Sequence, residues 1–259
     1  MEIDIYQVDA FSDQVFSGNP AAICPLKAWL PDEQMQQIAE ANNLSETAFF
    51  VTQEDGYALR WFTPESEVDL CGHATLASAH VLYKHLAYTG KHIRFYTKSG
   101  VLVVEQCGQA YSMNFPSVLL EKIETSETLF DALSIKPKAV FRAYDYIVVL
   151  QKEEQVRSLK PDFSKLCELD LRGVVVTAPG SDVDFVCRCF YPKLSISEDP
   201  VTGSAFCELA PYWARVLDKN TLTAAQLSKR GGYLECEVLD GCVVLKGKAA
   251  DYMQGKIRI

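Results

Sequence analysis

Glu46 stands in the segment Asn43-Leu44-Ser45-Glu46-Thr47-Ala48-Phe49-Phe50, where flanking apolar residues draw a carboxylate toward an interior. Desolvation there raises a carboxyl pKa toward neutrality and fits the group to take and return a proton. An exposed glutamate on an edge strand satisfies the same residues, so the segment alone leaves the role open. Two further segments, Cys71-Gly72-His73-Ala74-Thr75 and Thr202-Gly203-Ser204-Ala205, put small residues at the start of helix-like runs. The unpaired backbone N–H groups and positive dipole end of such a start hold a carboxylate and stabilise negative charge developing beside it. Thr and Ser are also ordinary helix caps, and both readings stand. His73 and Asp199 become candidates because each lies beside one of these anion-holding starts. Cys71, His73 and His80 have no CxxC or HExxH partner, and the chain has neither GxGxxG nor a P-loop, so no metal and no cofactor is expected.

These groups must be positioned by strands and helices in mixed order. Alternating Ile3, Ile5 and Val8 read as a strand, as do 48–52, 58–63, 92–97, 100–106 and 110–115. Residues 31–41 read as a helix, with Pro31 near its start and Met35, Ile38 and Ala39 at helical spacing. Helix-like runs open at Gly72 and at Gly203, and Pro211 is expected to kink or break the second. Residues 122–161 carry no recognisable chemistry, and Gly255 to Ile259 alternate like a strand.

An internal echo organises the chain. Arg60-Trp61-Phe62-Thr63-Pro64 precedes an acidic stretch and Cys71-Gly72-His73; Arg188-Cys189-Phe190-Tyr191-Pro192 precedes Glu198-Asp199 and Thr202-Gly203-Ser204. The two arginines are 128 positions apart (188 − 60), about half the chain. Two copies imply two similar lobes rather than a solenoid, which needs at least three stacked repeats.

The 259 residues include 25 Lys+Arg and 34 Asp+Glu, for a net charge of −9, with 48% hydrophobic residues. That acidity argues against nucleic acid or an anionic membrane as partner, since both need clustered basic residues. An anionic ligand must therefore be held locally. Nine scattered cysteines cannot all pair, which fits a reducing compartment. With an acidic start lacking a signal-like apolar region, and no run of about 20 apolar residues, the expected location is the cytoplasm.

Asp9-Ala10-Phe11 with Gly18-Asn19-Pro20-Ala21-Ala22, Ser45-Glu46-Thr47-Ala48-Phe49, Cys71-Gly72-His73-Ala74-Thr75-Leu76-Ala77 and Glu198-Asp199-Pro200-Val201-Thr202-Gly203-Ser204-Ala205 together resemble the PhzF-like phenazine-biosynthesis family. The resemblance spans nearly the whole chain. It implies an α+β fold of the diaminopimelate epimerase type, with two pseudo-symmetric lobes each wrapping a mixed, mainly antiparallel sheet around a central helix. The lobes would be residues 1–116, to which a terminal strand 250–259 can be added, and residues 117–249, with the active site between them and a homodimer as the usual assembly. It further implies a cofactor-independent isomerase acting on a small anionic carboxylate, in the manner of trans-2,3-dihydro-3-hydroxyanthranilate isomerisation. Glu46 would be the acid/base, with His73 and Asp199 completing the catalytic set. Asn19, Ser45, Gly72, Thr75, Gly203 and Ser204 would bind substrate.

Related two-base epimerases need a cysteine at both helix starts. Here the second position is Thr202, whose hydroxyl is far too weak an acid to replace a thiolate. An epimerase of a small amino acid using Cys71 with a different partner, and a non-catalytic scaffold, remain the alternatives.

Overall fold

The computed structural model describes residues 1–259 and divides them into two compact units, 1–114 with 246–259, and 115–245. In the first unit, the alternating start forms β1 (Glu2–Ala10), followed by β2 (Asn19–Leu26), α1 (Asp32–Asn42), β3 (Glu46–Gln53), β4 (Gly56–Phe62) and β5 (Glu67–Val68). Then come α2 (Gly72–His85), β6 (His92–Thr97), β7 (Gly100–Cys107) and β8 (Ala110–Pro116). β1 pairs antiparallel with β2 and with the terminal strand Ala249–Arg258, Ile5 lying opposite Gly255. β2 runs parallel to β3, β3 antiparallel to β4, and β4 parallel to β6.

α2 is the centre of this unit. His73 through Leu82 are all buried, because a helix with Ala74, Leu76, Ala77, Ala79, Val81 and Leu82 distributed around it has no polar face to give to water. It packs on β1, β2, β3, β7 and the terminal strand. α1 covers the other side of the sheet, where Met35, Ile38 and Ala39 join Cys24, Phe49 and Phe62. Between β1 and β2 the chain turns tightly at Gly18, at φ +68°, where a Cβ would come within 2.2 Å of the Ala10 carbonyl oxygen. Only glycine fits there, and the residue it delivers to the start of β2 is Asn19.

The second unit contains β9 (Glu121–Ile123), α3 (Glu127–Leu133), β10 (Ala139–Arg142), β11 (Tyr146–Val149), α4 (Glu153–Ser158), α5 (Phe163–Leu166) and β12 (Val174–Pro179). It continues through β13 (Phe185–Tyr191), β14 (Ile196–Asp199), α6 (Gly203–Leu217), β15 (Thr221–Gln226) and β16 (Gly232–Leu239). Its pairings repeat those of the first: β11 parallel to β12, β12 antiparallel to β13, β13 parallel to β15, and β15 antiparallel to β16. α6 takes the place of α2 and packs on β15 and β16.

The paired arginines mark equivalent corners. Arg60 on β4 holds Glu67 on β5 through Nε–Oε1 at 2.7 Å and Nη2–Oε2 at 2.9 Å. Arg188 on β13 holds Glu198 on β14 at 2.7 and 3.0 Å by the same atoms. Each guanidinium also lies over a phenylalanine ring two residues along its own strand, Phe62 at 5.2 Å and Phe190 at 5.0 Å. In both units this two-pronged clamp fixes the short strand that leads to the central helix.

Pro211 does not break α6, contrary to the expectation from its ring and missing N–H. The Cys207 carbonyl, four residues back, accepts the Val118 N–H at 3.2 Å instead, so the acceptor freed by proline is used elsewhere. Trp213, two residues further on, stacks on Phe185 at 5.8 Å and donates from Nε1 to Thr177 Oγ1 at 3.0 Å, which anchors the distal half of the helix. Pro211→Ala should consequently raise unfolding free energy by no more than about 1 kcal/mol, against the roughly 3 kcal/mol that an uncompensated helix proline costs. Urea titration of the two proteins reads the difference.

Candidate functional site

In the first unit, Glu46 is the first residue of β3 and pairs across with Ala21 on β2. His73 is the second residue of α2, at the end that abuts the starts of those strands. Their side chains meet: His73 Nε2 lies 3.0 Å from Glu46 Oε2, with side-chain exposures of 7% and 14%. On the other side of the ring, His73 Nδ1 lies 3.5 Å from the thiol of Cys71. Burial pulls the His73 pKa down, but its anionic surroundings outweigh this and leave it well above the ordinary histidine value. Burial pushes the Cys71 thiol up, and at His73 the charge interactions with Cys71 and then with Glu46 oppose the effect of burial. The carboxylate expected against an apolar wall thus has a cation beside it instead. Neither Glu46 Oε2 nor His73 Nε2 has a hydrogen bond of good geometry, although both atoms are buried. Such a couple is held together by charge and still has hydrogen-bonding capacity for a ligand.

Asn19 begins β2, fully buried, on the same face as Ala21, and Ser45 immediately precedes β3. Gly72 opens α2, and no side chain caps that helix, so its first amides are not consumed by a cap. The Thr75 hydroxyl donates to the Cys71 carbonyl at 2.6 Å within the first turn of α2, and the residue is fully buried. His80 is drawn into a separate cluster, with Nε2 2.9 Å from Asp251 and Nδ1 3.0 Å from the Tyr111 hydroxyl. It does not join Cys71 and His73.

In the second unit, Asp199 ends β14 and Thr202, Gly203 and Ser204 open α6, again without a side-chain cap. The Thr202 hydroxyl turns back to donate to the Asp199 carboxylate. Gln226, fully buried at the end of β15, locks this loop: Nε2 donates to the Asp199 carbonyl at 2.7 Å, and Oε1 accepts the Thr202 N–H at 2.9 Å.

Three residues that the sequence did not single out complete this region. Asp145, with no exposed surface, accepts from Arg172 Nε at 2.8 Å and Nη2 at 2.9 Å and from the Tyr191 hydroxyl at 3.1 Å. Arg172 Nη2 also donates to Ser204 Oγ at 3.0 Å. Glu208, one turn along α6 from Ser204 and fully buried, accepts the Tyr144 and Asp145 N–H groups at 3.0 and 3.2 Å. A lone acid among Phe206, Cys207, Leu209 and Ala210 was the available signal for Glu208; nothing local marks Asp145 or Arg172.

Burial, reinforced by the Asp145 carboxylate, pushes Glu208 up to about 8 from 4.5. Between those values the folded protein binds a proton that the unfolded chain does not, so stability falls as pH rises from about 4.5 to about 8. Glu208→Gln keeps an acceptor for both N–H groups and supplies a donor toward Asp145. It should therefore flatten that decline and be the more thermostable protein above pH 8, as melting curves across the range would reveal.

The phenazine biosynthesis-like protein model PhzC-PhzF matches residues 8–256. An uncharacterized isomerase of Pseudomonas aeruginosa is 51% identical over 259 residues, covering 100% of both chains. The mouse phenazine biosynthesis-like domain-containing protein 1 is 36% identical over 290 residues, covering 99% of both. Among solved structures, a phenazine biosynthesis protein of the PhzF family from Enterococcus faecalis superposes with a TM-score of 0.98 at 48% identity, covering 100% of both chains. A hydroxyproline epimerase from Agrobacterium vitis shares the fold at 9% identity, with a TM-score of 0.62 over 99% of this chain and 92% of its own. The α+β fold is thus shared by PhzF proteins and by a hydroxyproline epimerase. No helix is long and apolar enough to cross a membrane.

Proposed function

Because this chain belongs to the PhzC-PhzF family of phenazine biosynthesis-like proteins, we propose that it is an isomerase that moves a proton on a small, conjugated carboxylate, with Glu46 as the acid/base. The observation that carries the reading is the buried couple of Glu46 and His73, 3.0 Å apart and lacking good hydrogen bonds. A carboxylate held in place by a protonated imidazole is a base with a fixed position. It takes a proton from a carbon activated by the conjugated carboxylate, and the electron pair spreads into that system. The same carboxyl then returns the proton to another carbon of the conjugated chain. The enzyme ends in its starting protonation state, nothing is oxidised or reduced, and the cycle requires no electron acceptor. His73 holds Glu46 in place from 3.0 Å.

A second reading has the contact of Cys71 with His73 Nδ1 at 3.5 Å in its favour, since a thiol so placed could serve an epimerase. Its raised pKa and the threonine at the equivalent position of α6 weigh against it. Cys71→Ser separates the two: the isomerase reading expects turnover within about threefold of the wild type, whereas a cysteine base would cost about 10²-fold or more.

The test is incubation in D2O with trans-2,3-dihydro-3-hydroxyanthranilate and a set of small conjugated carboxylates, followed by NMR. Solvent deuterium at the carbon that regains the proton is expected for at least one compound. Absence of isomerisation and exchange across the set would overturn the proposal.

A further inference from the structure

Arg172 has a held edge and an open one. Nε and Nη2 are bound to the buried Asp145, and the second Nη2 proton goes to Ser204 Oγ. The guanidinium lies over the rings of Tyr144 and Tyr191, at 5.8 and 5.5 Å. Tyr191 is itself fixed, hydrogen-bonded to Asp145 and packed so closely on Gly173 that a Cβ at 173 would fall 2.2 Å from its ring. The plane of Arg172 is thereby set by four neighbours. Its Nη1, with two N–H groups, has no protein partner, and the side chain is 39% exposed. Ser204 accepts from Arg172, which leaves the serine's own proton to donate.

We infer that Arg172 and Ser204 form a carboxylate-reading pair that determines which substrates this protein accepts, Nη1–H and the Ser204 O–H binding the two oxygens of one carboxylate. A fork of donors in a fixed plane matches a planar oxyanion better than a mobile ammonium does. In a chain of net charge −9, an anion is held here by directed N–H and O–H donors rather than by a net positive charge. Asp145 orients the pair and offsets its charge, and burial biases the neighbouring Glu208 toward its neutral form. The inference rests on the proposed substrate class, and it deepens that reading by naming the residue that selects for an ionised carboxylate over a neutral isostere.

The test compares 3-hydroxyanthranilate with its carboxamide by calorimetry on the intact protein. The wild type should prefer the carboxylate by about tenfold or more. Arg172→Gln should reduce the preference to about twofold or less while leaving carboxamide affinity unchanged, and Arg172→Lys should be intermediate. Because Arg172→Gln leaves Asp145 buried without its cation, the paired variant Arg172→Met/Asp145→Asn provides the same comparison without an uncompensated charge. A preference that survives in both variants, or a wild type that binds neither compound more tightly than the other, overturns the inference. Glu46→Gln run alongside keeps the two readings distinguishable. An Arg172-dependent preference with no proton exchange in any protein sinks the isomerase reading alone, while proton exchange with no such preference sinks the carboxylate-reading pair alone.

Discussion

Glu46→Gln should lower the isomerisation rate constant by two to four orders of magnitude, the usual contribution of a positioned general base (about 10²–10⁴-fold). Substrate affinity should stay within about threefold. Glutamine has the shape of the carboxylate, but it cannot accept a proton, and it leaves His73 without the anion 3.0 Å away. Loss in both kcat and kcat/KM with little change in KM is the pattern of a group that acts in the transition state. Glu46→Asp should fall between the two, because it keeps the charge but withdraws it by one methylene from a site that has been positioned by β3 and α2. A variant in which KM alone rose would instead make Glu46 a binding residue.

Asp145→Ala should cost about 3 kcal/mol of stability, the lower end of the range for breaking a buried ion pair, because Arg172 keeps 39% of its surface in water. The substitution strands two Arg172 donors and the Tyr191 hydroxyl at once. Part of the loss is returned, since Glu208 is relieved of its anionic neighbour. For a protein of this size the midpoint of thermal unfolding should fall by about 6–12 °C. Asp13→Ala is the control: its exposed pairing with Lys248 at 3.0 Å is worth little, and the midpoint should stay nearly unchanged.

The sequence made legible what repeats at short range. Ile3 and Ile5 and the helical spacing of Met35, Ile38 and Ala39 reappear as β1 and α1, local period and burial agreeing over residues 2–5 and in the helix, whereas β1 is buried on both faces beyond Ile5 and shifts register between Gln7 and Val8. The recurrence of Arg60 and Arg188 marks equivalent corners, since each arginine clamps an acid only a few residues ahead. What escaped is long-range. Asp145 meets Arg172 across 27 positions and Glu208 across 63, and no periodicity encodes a polar contact between a strand start and a helix interior. Pro211 was misleading for a related reason: the rescue of its helix comes from Val118, far away in the chain. The partner of Glu46 was visible as a residue but not as a partner. An apolar neighbourhood indicated burial, and only the fold of β3 against α2 shows that burial comes with an imidazole.

The central claim is that Glu46 carries the proton, and the most direct test follows the substrate's own C–H signal by proton NMR in D2O with wild type and Glu46→Gln side by side. The wild type should wash the labile hydrogen out and isomerise the substrate, while Glu46→Gln, still binding it, leaves the signal intact over the same interval. Washout by Glu46→Gln at the wild-type rate would contradict the account and move the base to another residue.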